Sequence, residues 1–484
     1  MASLARAPQT SEALDLWRQQ LPPDIGKLDI STDHNARAAN SMDRWPEAMK
    51  WSSAELSGHL PAVVVRPTTT EQVAAVVAAA HAAGVPVVAR GAGSGVVGSV
   101  VNEAGYIALD LSRLTEPVHI DQERGEVTVP AGMLAIHLEK ALNSHGLRLP
   151  HYPQSLPLAS IGGLVATRSS GTFSTKYGNV EDFLVAVEVV LADGTVISTR
   201  ATPRSSTGPQ LSTIFVGSEG TLGVITAVTL RVLPEAAETR FRGVAFPELA
   251  DGLNSVKAIM DGGITPAVVR LYDPQEAEKH FALAGLEAKS RCLLVLGFDG
   301  HERVVAAEEA ACLSLVTQHH GDDLGPESGE AWFAHRFDAS WLDEGNDGDA
   351  RIADAIEVSA PWPQLTKLHK TVLDVMNPYV DRAYAHYSHF YSNGGAVYFI
   401  FFTSGRDTAE VRARYRSAWE ATLKAVLDCG GSISHHHGVG EMRKAWMEAE
   451  DRDNLLLLRR IKSCLDPQRI LSPCKLGIDP VVEG

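Results

Sequence analysis

The sequence predicts a protein of mixed helices and strands, with a first domain of the α+β or α/β class followed by a second domain. Between Val63 and about Leu233, short runs rich in valine and isoleucine alternate with helical stretches and glycine-rich turns. After Pro234 we expect sparser strands and longer helices, which indicates that a second domain begins there. The length of 484 residues allows two to three domains of about 150 residues each.

The composition excludes several classes of partner and of stabilising cross-link. The 43 lysines and arginines are outnumbered by 59 aspartates and glutamates, giving a net charge of −16 that argues against binding to nucleic acid or anionic membranes. The five cysteines form no CxxC pair, so neither a zinc cage nor a disulfide framework is expected. No signal peptide and no apolar run of 18 residues is visible, which predicts a cytoplasmic protein without membrane insertion.

One helix and one strand of the first domain can be predicted in detail. Thr68 is placed to cap a helix, and Glu71 three residues later would complete a capping box. The alanine- and valine-rich stretch that follows should end at Gly84, because glycine readily adopts the left-handed conformation that ends a helix. A short strand from Val85 to Arg90 should come next.

The first glycine-rich loop contains Gly93-x-Gly95-x-x-Gly98, which matches the dinucleotide fingerprint as a bare string. A Rossmann site needs a helix directly after the glycines, and here Ser99 begins a polar break before a strand near Gly105. A glycine-rich loop between strands can still bind phosphate through converging backbone N–H groups. The alternative is a plain tight turn.

Two more loops have the same character. Residues 153–178 are dense in serine, threonine and glycine, and residues 217–223 lead into a strand-like run from Val224. Three such loops, each beside a strand, predict a surface of backbone amides and hydroxyls. A long phosphorylated cofactor is the natural ligand for that surface.

The C-terminal stretch from Ser432 contains three consecutive histidines, residues 435–437, before Gly-Val-Gly, and we expect it to fold back onto the first domain. Adjacent imidazoles are costly to bury without partners, which favours a functional role. Metal binding is the rival interpretation.

Together, the segments PQSLPLASIGGLVATRSSG, KYGNVED, GSEGTLGVIT, SAPW and SHHHGVG resemble the vanillyl-alcohol-oxidase and p-cresol-methylhydroxylase family of flavoproteins. Within it, the motifs are most similar to those of the alkylglycerone-phosphate synthases and their bacterial relatives. The resemblance implies an α+β fold, in which a cap domain with an antiparallel sheet and helices joins an FAD-binding PCMH-type domain of two subdomains. The implied boundaries are an N-terminal helical segment at 1–56, the FAD domain at 57–235, the cap at 236–430 and a returning C-terminal segment at 431–484. A homodimer is also implied.

The cofactor implied by the resemblance is FAD. Members that bind the flavin covalently through the first loop carry a histidine there, and this sequence has Ser94 and Gly95, so we expect non-covalent FAD. The implied FAD contacts are Ala89, Arg90, Gly91, Ala92, Gly93, Ser94 and Gly95 for the pyrophosphate, Gln154, Ser155, Leu156, Ser160, Gly162, Gly163, Thr167, Arg168, Ser169 and Ser170 for the flavin and ribityl chain, and Glu219, Gly220, Thr221, Leu222, Gly223, Val224 and Ile225 for the adenine half.

The resemblance also implies the active-site residues. Tyr398 would act as acid or base, and His435, His436 and His437 would shape the substrate pocket. Without the resemblance, the sequence favours Tyr398 as a core aromatic in an apolar strand. Arg270 could anchor a carboxylate or phosphate, or form a salt bridge with Asp273 or another acid.

Two departures from related motifs bear on the chemistry. The related D-2-hydroxyacid dehydrogenases hold a divalent metal with His-x6-His and a later Glu-His. Here His389 takes the place of the first ligand, Tyr398 falls near the second, and His436 replaces the glutamate. We therefore expect no metal.

The alkylglycerone-phosphate synthase pattern also has a phosphate-binding arginine after His-Arg-Phe. This sequence has Asp343 and Glu344 there, and this disfavours a phosphorylated substrate.

These features predict an FAD-dependent oxidoreductase that oxidises a small hydroxylated organic molecule. The alternative is a redox-neutral transferase like the synthase, which exchanges an acyl for an alkoxy group. A flavin-binding protein without turnover is the third hypothesis.

Overall fold

The first domain begins with a four-stranded sheet. The computed structural model describes residues 10–338 and 340–478. The elements of this part are α1 (Thr10–Gln20), β1 (Asp29–Ser31), α2 (His34–Ala39), α3 (Ser53–Ser57), β2 (Val63–Arg66), α4 (Thr70–Ala83), β3 (Val87–Arg90) and β4 (Ile107–Asp110). The strand order is β1-β2-β4-β3, with β4 parallel to both β2 and β3.

Helix α4 covers one face of this sheet through an apolar stripe that includes the fully buried Val76. Its N-cap is Thr69, whose side chain accepts a hydrogen bond from the N–H of Gln72. The prediction of Thr68 as the cap is wrong by one residue, because the backbone is still extended at Thr69 and the N–H of Thr68 donates to the Gln72 side chain. Gly84 ends the helix at φ +66°, as predicted.

The second part of the first domain is a five-stranded antiparallel sheet in the order β5-β6-β10-β8-β9. Its elements are β5 (His119–Asp121), β6 (Glu126–Pro130), α5 (Ala135–Asn143), β7 (Leu147–Arg148), α6 (Ile161–Ala166), α7 (Ser174–Tyr177), α8 (Val180–Phe183), β8 (Leu184–Val190), β9 (Val196–Ser198), β10 (Val224–Arg231) and β11 (Leu233–Pro234). Helices α5 and α6 pack on this sheet through an apolar core of their own. The two sheets place all three glycine-rich loops on one side of the domain.

The second domain is built on a seven-stranded sheet in the order β15-β12-β14-β13-β17-β18-β16. Its elements are β12 (Glu238–Phe246), α9 (Leu249–Asp261), β13 (Val268–Tyr272), α10 (Pro274–Leu283), β14 (Cys292–Gly300), α11 (Glu302–Gln318), β15 (Asp322–Asp323), α12 (Glu327–Ala334), α13 (Ser340–Gly345), β16 (Arg351–Pro361), α14 (Trp362–Met376), β17 (Arg382–Tyr391), β18 (Gly394–Ser404) and α15 (Thr408–Asp428). Every pairing in this sheet is antiparallel. The α+β class and the antiparallel cap sheet are as predicted.

The expectation of sparse strands in the second domain is wrong. Strands β12, β14, β16, β17 and β18 are nine to eleven residues long. Residues 397, 399 and 401 of β18 are fully buried against the helices, while residues 398, 400 and 402 line a cavity on the other face. Such a strand is apolar on both faces, so its sequence lacks the alternation that predicts a half-buried strand.

The C-terminal segment contains α16 (Gly440–Arg443), α17 (Met447–Glu450) and α18 (Arg452–Leu465), and then returns to the first domain. Leu471 pairs with Val87 of β3 in a parallel bridge, and Lys475 donates to the carbonyl of Gly98 at 3.1 Å. The C-terminal segment thereby contacts the first glycine-rich loop and stabilises its position. Among the described helices, none is both long enough and apolar enough to cross a membrane.

Candidate functional site: a cavity between the two domains

A cavity of about 1250 Å³ lies between the glycine-rich loops of the first domain and the exposed face of the cap sheet. All three loops contribute to one wall, and β13, α10, β17 and β18 contribute to the other. Small-molecule sites usually have roughly 300–1,000 Å³. This cavity therefore has room for a long cofactor together with a small substrate.

The first loop offers unpartnered backbone amides to this cavity. No helix follows it before β4, which excludes a Rossmann site as predicted. In the described part of the chain, the N–H groups of residues 93–96 donate no hydrogen bond to protein. Gly93 has φ +70°, and a Cβ there would lie 2.1 Å from the Arg90 guanidinium. Converging N–H groups of this kind bind anions such as a pyrophosphate.

Asp43, from the N-terminal segment, holds this loop in shape. Its carboxylate accepts the N–H groups of Gly98 at 3.1 Å and Ser99 at 2.9 Å, and the N–H of Arg44 donates to the carbonyl of Gly95 at 2.8 Å. Burial raises the pKa of Asp43 to about 6, against the opposing effect of these hydrogen bonds. Sequence analysis missed Asp43, because a single aspartate in a loop carries no local signal.

The second loop fits closely against the first. The Ser160 hydroxyl accepts the N–H of Ala92 at 3.3 Å, and a Cβ at Gly91 would lie 2.1 Å from that hydroxyl. A Cβ at Gly162, in α6, would lie 2.5 Å from the side chain of Ala131. Glycine is therefore needed at both positions for the two loops and β6 to approach each other.

The third loop joins the cavity wall to the histidine segment. Glu219, at φ +48°, accepts hydrogen bonds from the N–H groups of Val439 at 2.5 Å and Gly440 at 3.1 Å. Burial raises the pKa of Glu219, although the two N–H groups oppose the shift. Its carboxylate thus holds the C-terminal segment beside the glycine-rich loops.

Most of the residues predicted to contact the cofactor border the cavity. The exceptions are Leu156 and Leu222, which lie in the apolar core, Thr221, which is fully buried, Arg168, which pairs with Glu181, and Arg90, which lies beneath Gly93. The residues that border it are Ala89, Gly91, Ala92, Gly93, Ser94, Gly95, Gln154, Ser155, Ser160, Gly162, Gly163, Thr167, Ser169, Ser170, Glu219, Gly220, Gly223, Val224 and Ile225. The free amides and the close glycine contacts fit FAD.

Glu357, on β16, is a fully buried carboxylate that organises the histidine triplet. It accepts the backbone N–H groups of His435 at 2.5 Å, His436 at 3.2 Å and His437 at 2.7 Å. The buried Arg443 guanidinium lies 3.3 Å from the same carboxylate. Burial raises the pKa of Glu357, but Arg443 and the histidines outweigh it and lower the pKa to about 2. The triplet is therefore held by a permanent negative charge.

Tyr398, on β18, meets two imidazoles at the cavity wall. Its hydroxyl lies 2.9 Å from Nε2 of His389 and 3.1 Å from Nε2 of His436, and its ring stacks on His386 with centroids 4.6 Å apart. Burial raises the pKa of Tyr398 and lowers the pKa of His436 to about 3. The site therefore contains a neutral phenol between neutral imidazoles. His435 lies away from the main cavity, on a second and smaller one.

Arg270, on β13, interacts with a histidine that sequence analysis missed. Its Nη2 lies 2.7 Å from Nε2 of His386, and Nδ1 of His386 lies 2.8 Å from the buried carboxylate of Glu276. A guanidinium only donates, so His386 accepts at Nε2 and donates from Nδ1. The alternative salt bridge to Asp273 is wrong, because that carboxylate instead accepts the N–H groups of Glu276 at 2.9 Å and Ala385 at 2.6 Å.

The donor atoms of Glu357, His435 and His436 lie within 4.8 Å of one another, close enough to hold a metal ion. However, Glu357 already accepts three backbone N–H groups, and Nδ1 of His435 lies 2.9 Å from Nδ1 of His436. The Glu357 oxygens and the Nδ1 atoms of His435 and His436, which would be the metal ligands, are therefore already engaged in hydrogen bonds within the protein. The absence of a metal stays a prediction.

Cationic side chains border the cap end of the cavity, among them Arg336, Arg351 and Arg382. Arg336 lies over the ring of Phe333, with Cζ 3.7 Å from the ring centroid, and its buried Nε has no hydrogen-bond partner among the described residues. The side chains of Asp343 and Glu344 lie outside the described residues. The argument against a phosphorylated substrate therefore rests on the sequence alone.

The fold and the site define a flavoprotein with an FAD domain and a cap. Residues 61–200 match the FAD binding domain family, and residues 235–476 match the C-terminal domain of FAD linked oxidases. The chain belongs to this family of FAD-linked oxidases, and its cofactor is FAD, as predicted.

Similarity to individual proteins extends over nearly the whole chain. The sequence is 31% identical to the uncharacterized FAD-linked oxidoreductase YgcU of Escherichia coli O157:H7, over 94% of this chain and 96% of that protein. It is 30% identical to alkyldihydroxyacetonephosphate synthase of Dictyostelium discoideum, over 86% of this chain and 73% of that protein. A solved alkyldihydroxyacetonephosphate synthase structure superposes with a TM-score of 0.80 at 25% identity, covering 98% of this chain and 87% of that one. The resemblance inferred from the motifs is confirmed.

Proposed function

We propose that the protein is an FAD-dependent oxidoreductase that oxidises a small hydroxylated organic substrate at the cap end of the cavity. The observation that carries this proposal is the position of Tyr398, whose phenol lies between two neutral imidazoles beside the loops that fit FAD. A phenol in that position can exchange a proton with a substrate hydroxyl, because a neutral imidazole can accept the phenolic proton in turn.

The oxidation removes two electrons and two hydrogens from the substrate and converts a C–OH group to a carbonyl. FAD, when bound, would supply the acceptor for the hydride. Tyr398 takes the hydroxyl proton as its own proton moves to His436. The guanidinium of Arg270 is held in place by its hydrogen bond to His386, and it orients the substrate through an oxygen or a carboxylate. Glu357 keeps His436 in place through the backbone.

An absorption spectrum of the purified protein, before and after acid precipitation, is the first experiment. Flavin released into the supernatant supports non-covalent FAD, whereas flavin retained in the pellet indicates a covalent bond. The second experiment is an anaerobic screen of small 2-hydroxy acids and secondary alcohols for bleaching of the flavin. Reduction by at least one of them supports the oxidoreductase.

The second candidate is a redox-neutral transferase that exchanges an acyl for an alkoxy group. Similarity to alkyldihydroxyacetonephosphate synthases over most of the chain favours the transferase. Arg336, which borders the cavity, also favours it, because its buried Nε has no hydrogen-bond partner among the described residues. An acyl dihydroxyacetone phosphate together with a long-chain alcohol tests it. Ether product without net flavin reduction would support the transferase and contradict the oxidoreductase.

A cytoplasmic location and a homodimer stay predictions of the sequence analysis. Light scattering of the purified protein measures the oligomeric state directly.

A further inference from the structure

A continuous chain of hydrogen bonds leads away from Tyr398 through the histidine triplet. Nε2 of His436 lies 3.1 Å from the Tyr398 hydroxyl, and Nδ1 of His436 lies 2.9 Å from Nδ1 of His435. Nε2 of His435 then lies 2.7 Å from the hydroxyl of Tyr391, and Asn179 donates to that hydroxyl at 3.0 Å. Each step is within normal hydrogen-bond distance.

The hydrogen-bond chain ends at a second cavity, which shares the lining residue Ser170 with the cavity that fits FAD. This second cavity has about 340 Å³ and is bordered by His435, Tyr391 and Asn179. It reaches the surface at Arg168, whose side chain is 65% exposed. His435 and His436 thus connect the wall of the main cavity to a second opening.

The imidazoles in the chain are neutral, which a proton relay requires. Burial, with the neighbouring histidines adding to it, lowers the pKa of both His435 and His436 to about 3. A neutral imidazole has one donor and one acceptor nitrogen, so it can take a proton on one side as it releases one on the other. A protonated imidazole has no acceptor and would block the chain.

All hydrogen bonds can be satisfied with the donors pointing in either direction. In one direction, Tyr398 donates to His436, His436 to His435, and His435 to Tyr391. In the opposite direction, Tyr391 donates to His435, His435 to His436, and His436 to Tyr398, whose own hydroxyl proton is then available to an oxygen in the main cavity. Nε2 of His389, 2.9 Å away, donates to Tyr398 in both arrangements. One proton passing along the chain converts the first arrangement into the second.

We infer that His436 and His435 form a proton relay that connects Tyr398 to the second cavity. This inference rests on the proposed function, in which Tyr398 takes a proton from the substrate hydroxyl. As the O–H bond of the substrate breaks, Tyr398 gains that proton and gives its own to Nε2 of His436. His436 gives its Nδ1 proton to Nδ1 of His435, which passes its Nε2 proton to the hydroxyl of Tyr391. Tyr391 in turn releases its own hydroxyl proton to water in the second cavity.

The net result is the transfer of one proton from the substrate to the second cavity. No residue changes its charge, and both histidines change tautomer. A proton passing in the reverse direction restores the first arrangement. The hydrogen-bond chain can therefore remove a proton from Tyr398 in one half of a catalytic cycle and return one in the other half. Neither step requires the main cavity to open to water.

Solvent exchange of the His436 imidazole proton tests the relay without any substrate. The FAD-loaded protein, labelled with 15N-histidine, is transferred into D2O, and loss of the His436 N–H signal is followed by NMR, with the signal assigned from His436→Gln. In His435→Gln we expect exchange to slow at least about tenfold, which corresponds to a barrier about 1.4 kcal/mol higher. The control is His369→Gln, which removes a half-buried histidine that borders neither cavity.

An unchanged exchange rate in His435→Gln would overturn the relay, since the proton would then exchange through the main cavity. If His435→Gln does not fold, Tyr391→Phe replaces it. That variant removes only a hydroxyl and should slow exchange severalfold, whereas an unchanged rate would again contradict the relay. Failure to find an oxidisable substrate would contradict the proposed function alone, because the exchange experiment uses D2O as its only probe.

Discussion

The phenolic oxygen of Tyr398 lies 3.1 Å from Nε2 of His436, although the two residues belong to different structural units. Tyr398 is on β18 of the cap sheet, and His436 is in the C-terminal segment that returns to the first domain. Their contact depends on Glu357, which fixes the backbone of the triplet from the neighbouring strand β16. The geometry of the site therefore requires both domains to be folded and docked.

We expect Tyr398→Phe to lower the rate of substrate-dependent flavin reduction by about 10²- to 10⁴-fold, the usual contribution of a general acid or base. The phenyl ring keeps the stacking on His386, so the flavin content should not change. Stopped-flow absorbance with an alcohol found in the anaerobic screen measures the rate. Tyr106→Phe, at a buried tyrosine outside the cavity, is the control. Loss of bound flavin in Tyr398→Phe would instead indicate a structural role.

Replacement of Gly93 by valine should abolish FAD retention. The residue has φ +70°, and a side chain there would collide with Arg90 and disturb the free amides of residues 93–96. Gly146→Val is a matched control, since Gly146 has φ +68° and a Cβ added there would meet no atom within 4 Å. Both variants carry a backbone cost of about 1–2 kcal/mol, so only the contact at the loop differs. Equal flavin content in the two purified variants would argue against the loop as the pyrophosphate site.

Local sequence was sufficient to predict the features that depend on local geometry. The three glycine-rich loops and the end of α4 at Gly84 have short-range signals in composition or turn chemistry. Glycine is needed in these loops wherever a backbone comes close to another chain segment, and that need is visible in the sequence itself.

The residues that were missed act through contacts between distant parts of the chain. Glu357 is 78 positions from His435, and His386 is 110 positions from Glu276. A single acid or histidine within a strand is compatible with many environments, so nothing in its own neighbourhood predicts its partner. The cap sheet was underestimated for a related physical reason, because strands with two apolar faces resemble buried helices in sequence.

Asp43, one of the missed residues, provides a test of how the first loop is held. We expect Asp43→Ala to weaken FAD binding by about 10- to 100-fold, because loss of a charged acceptor costs about 1.5–3 kcal/mol and releases the N–H groups of Gly98 and Ser99. Fluorescence titration of the apoprotein with FAD measures the affinity. Asp33→Ala, which removes an exposed helix cap elsewhere, should bind FAD like the wild type. An unchanged affinity in Asp43→Ala would show that the loop keeps its shape without this carboxylate.

The half-buried histidine triplet should make stability fall on mild acidification. The folded-state pKa is lowered to about 3 for His435 and His436 and to about 4 for His437, against about 6.5 in an unfolded chain. Below pH 6.5 the unfolded chain therefore binds more protons, and the free energy of unfolding decreases as the pH falls towards 4. Glu357, with its pKa lowered to about 2, loses its stabilising contribution only below about pH 4.5 and does not act in this window.

For a single histidine with this shift, the loss between pH 7 and pH 5 is about 2 kcal/mol. Urea unfolding at the two pH values should therefore show a smaller decrease for His436→Gln than for the wild type, by about this amount. The control is His34→Gln, at an exposed histidine, and its free energy of unfolding should decrease between the two pH values as much as that of the wild type. If His436→Gln lost as much stability on acidification as the wild type, His436 would have to be protonated in the folded protein. It would then have no free nitrogen to accept the Tyr398 proton, so this measurement also tests the acid–base chemistry of the site.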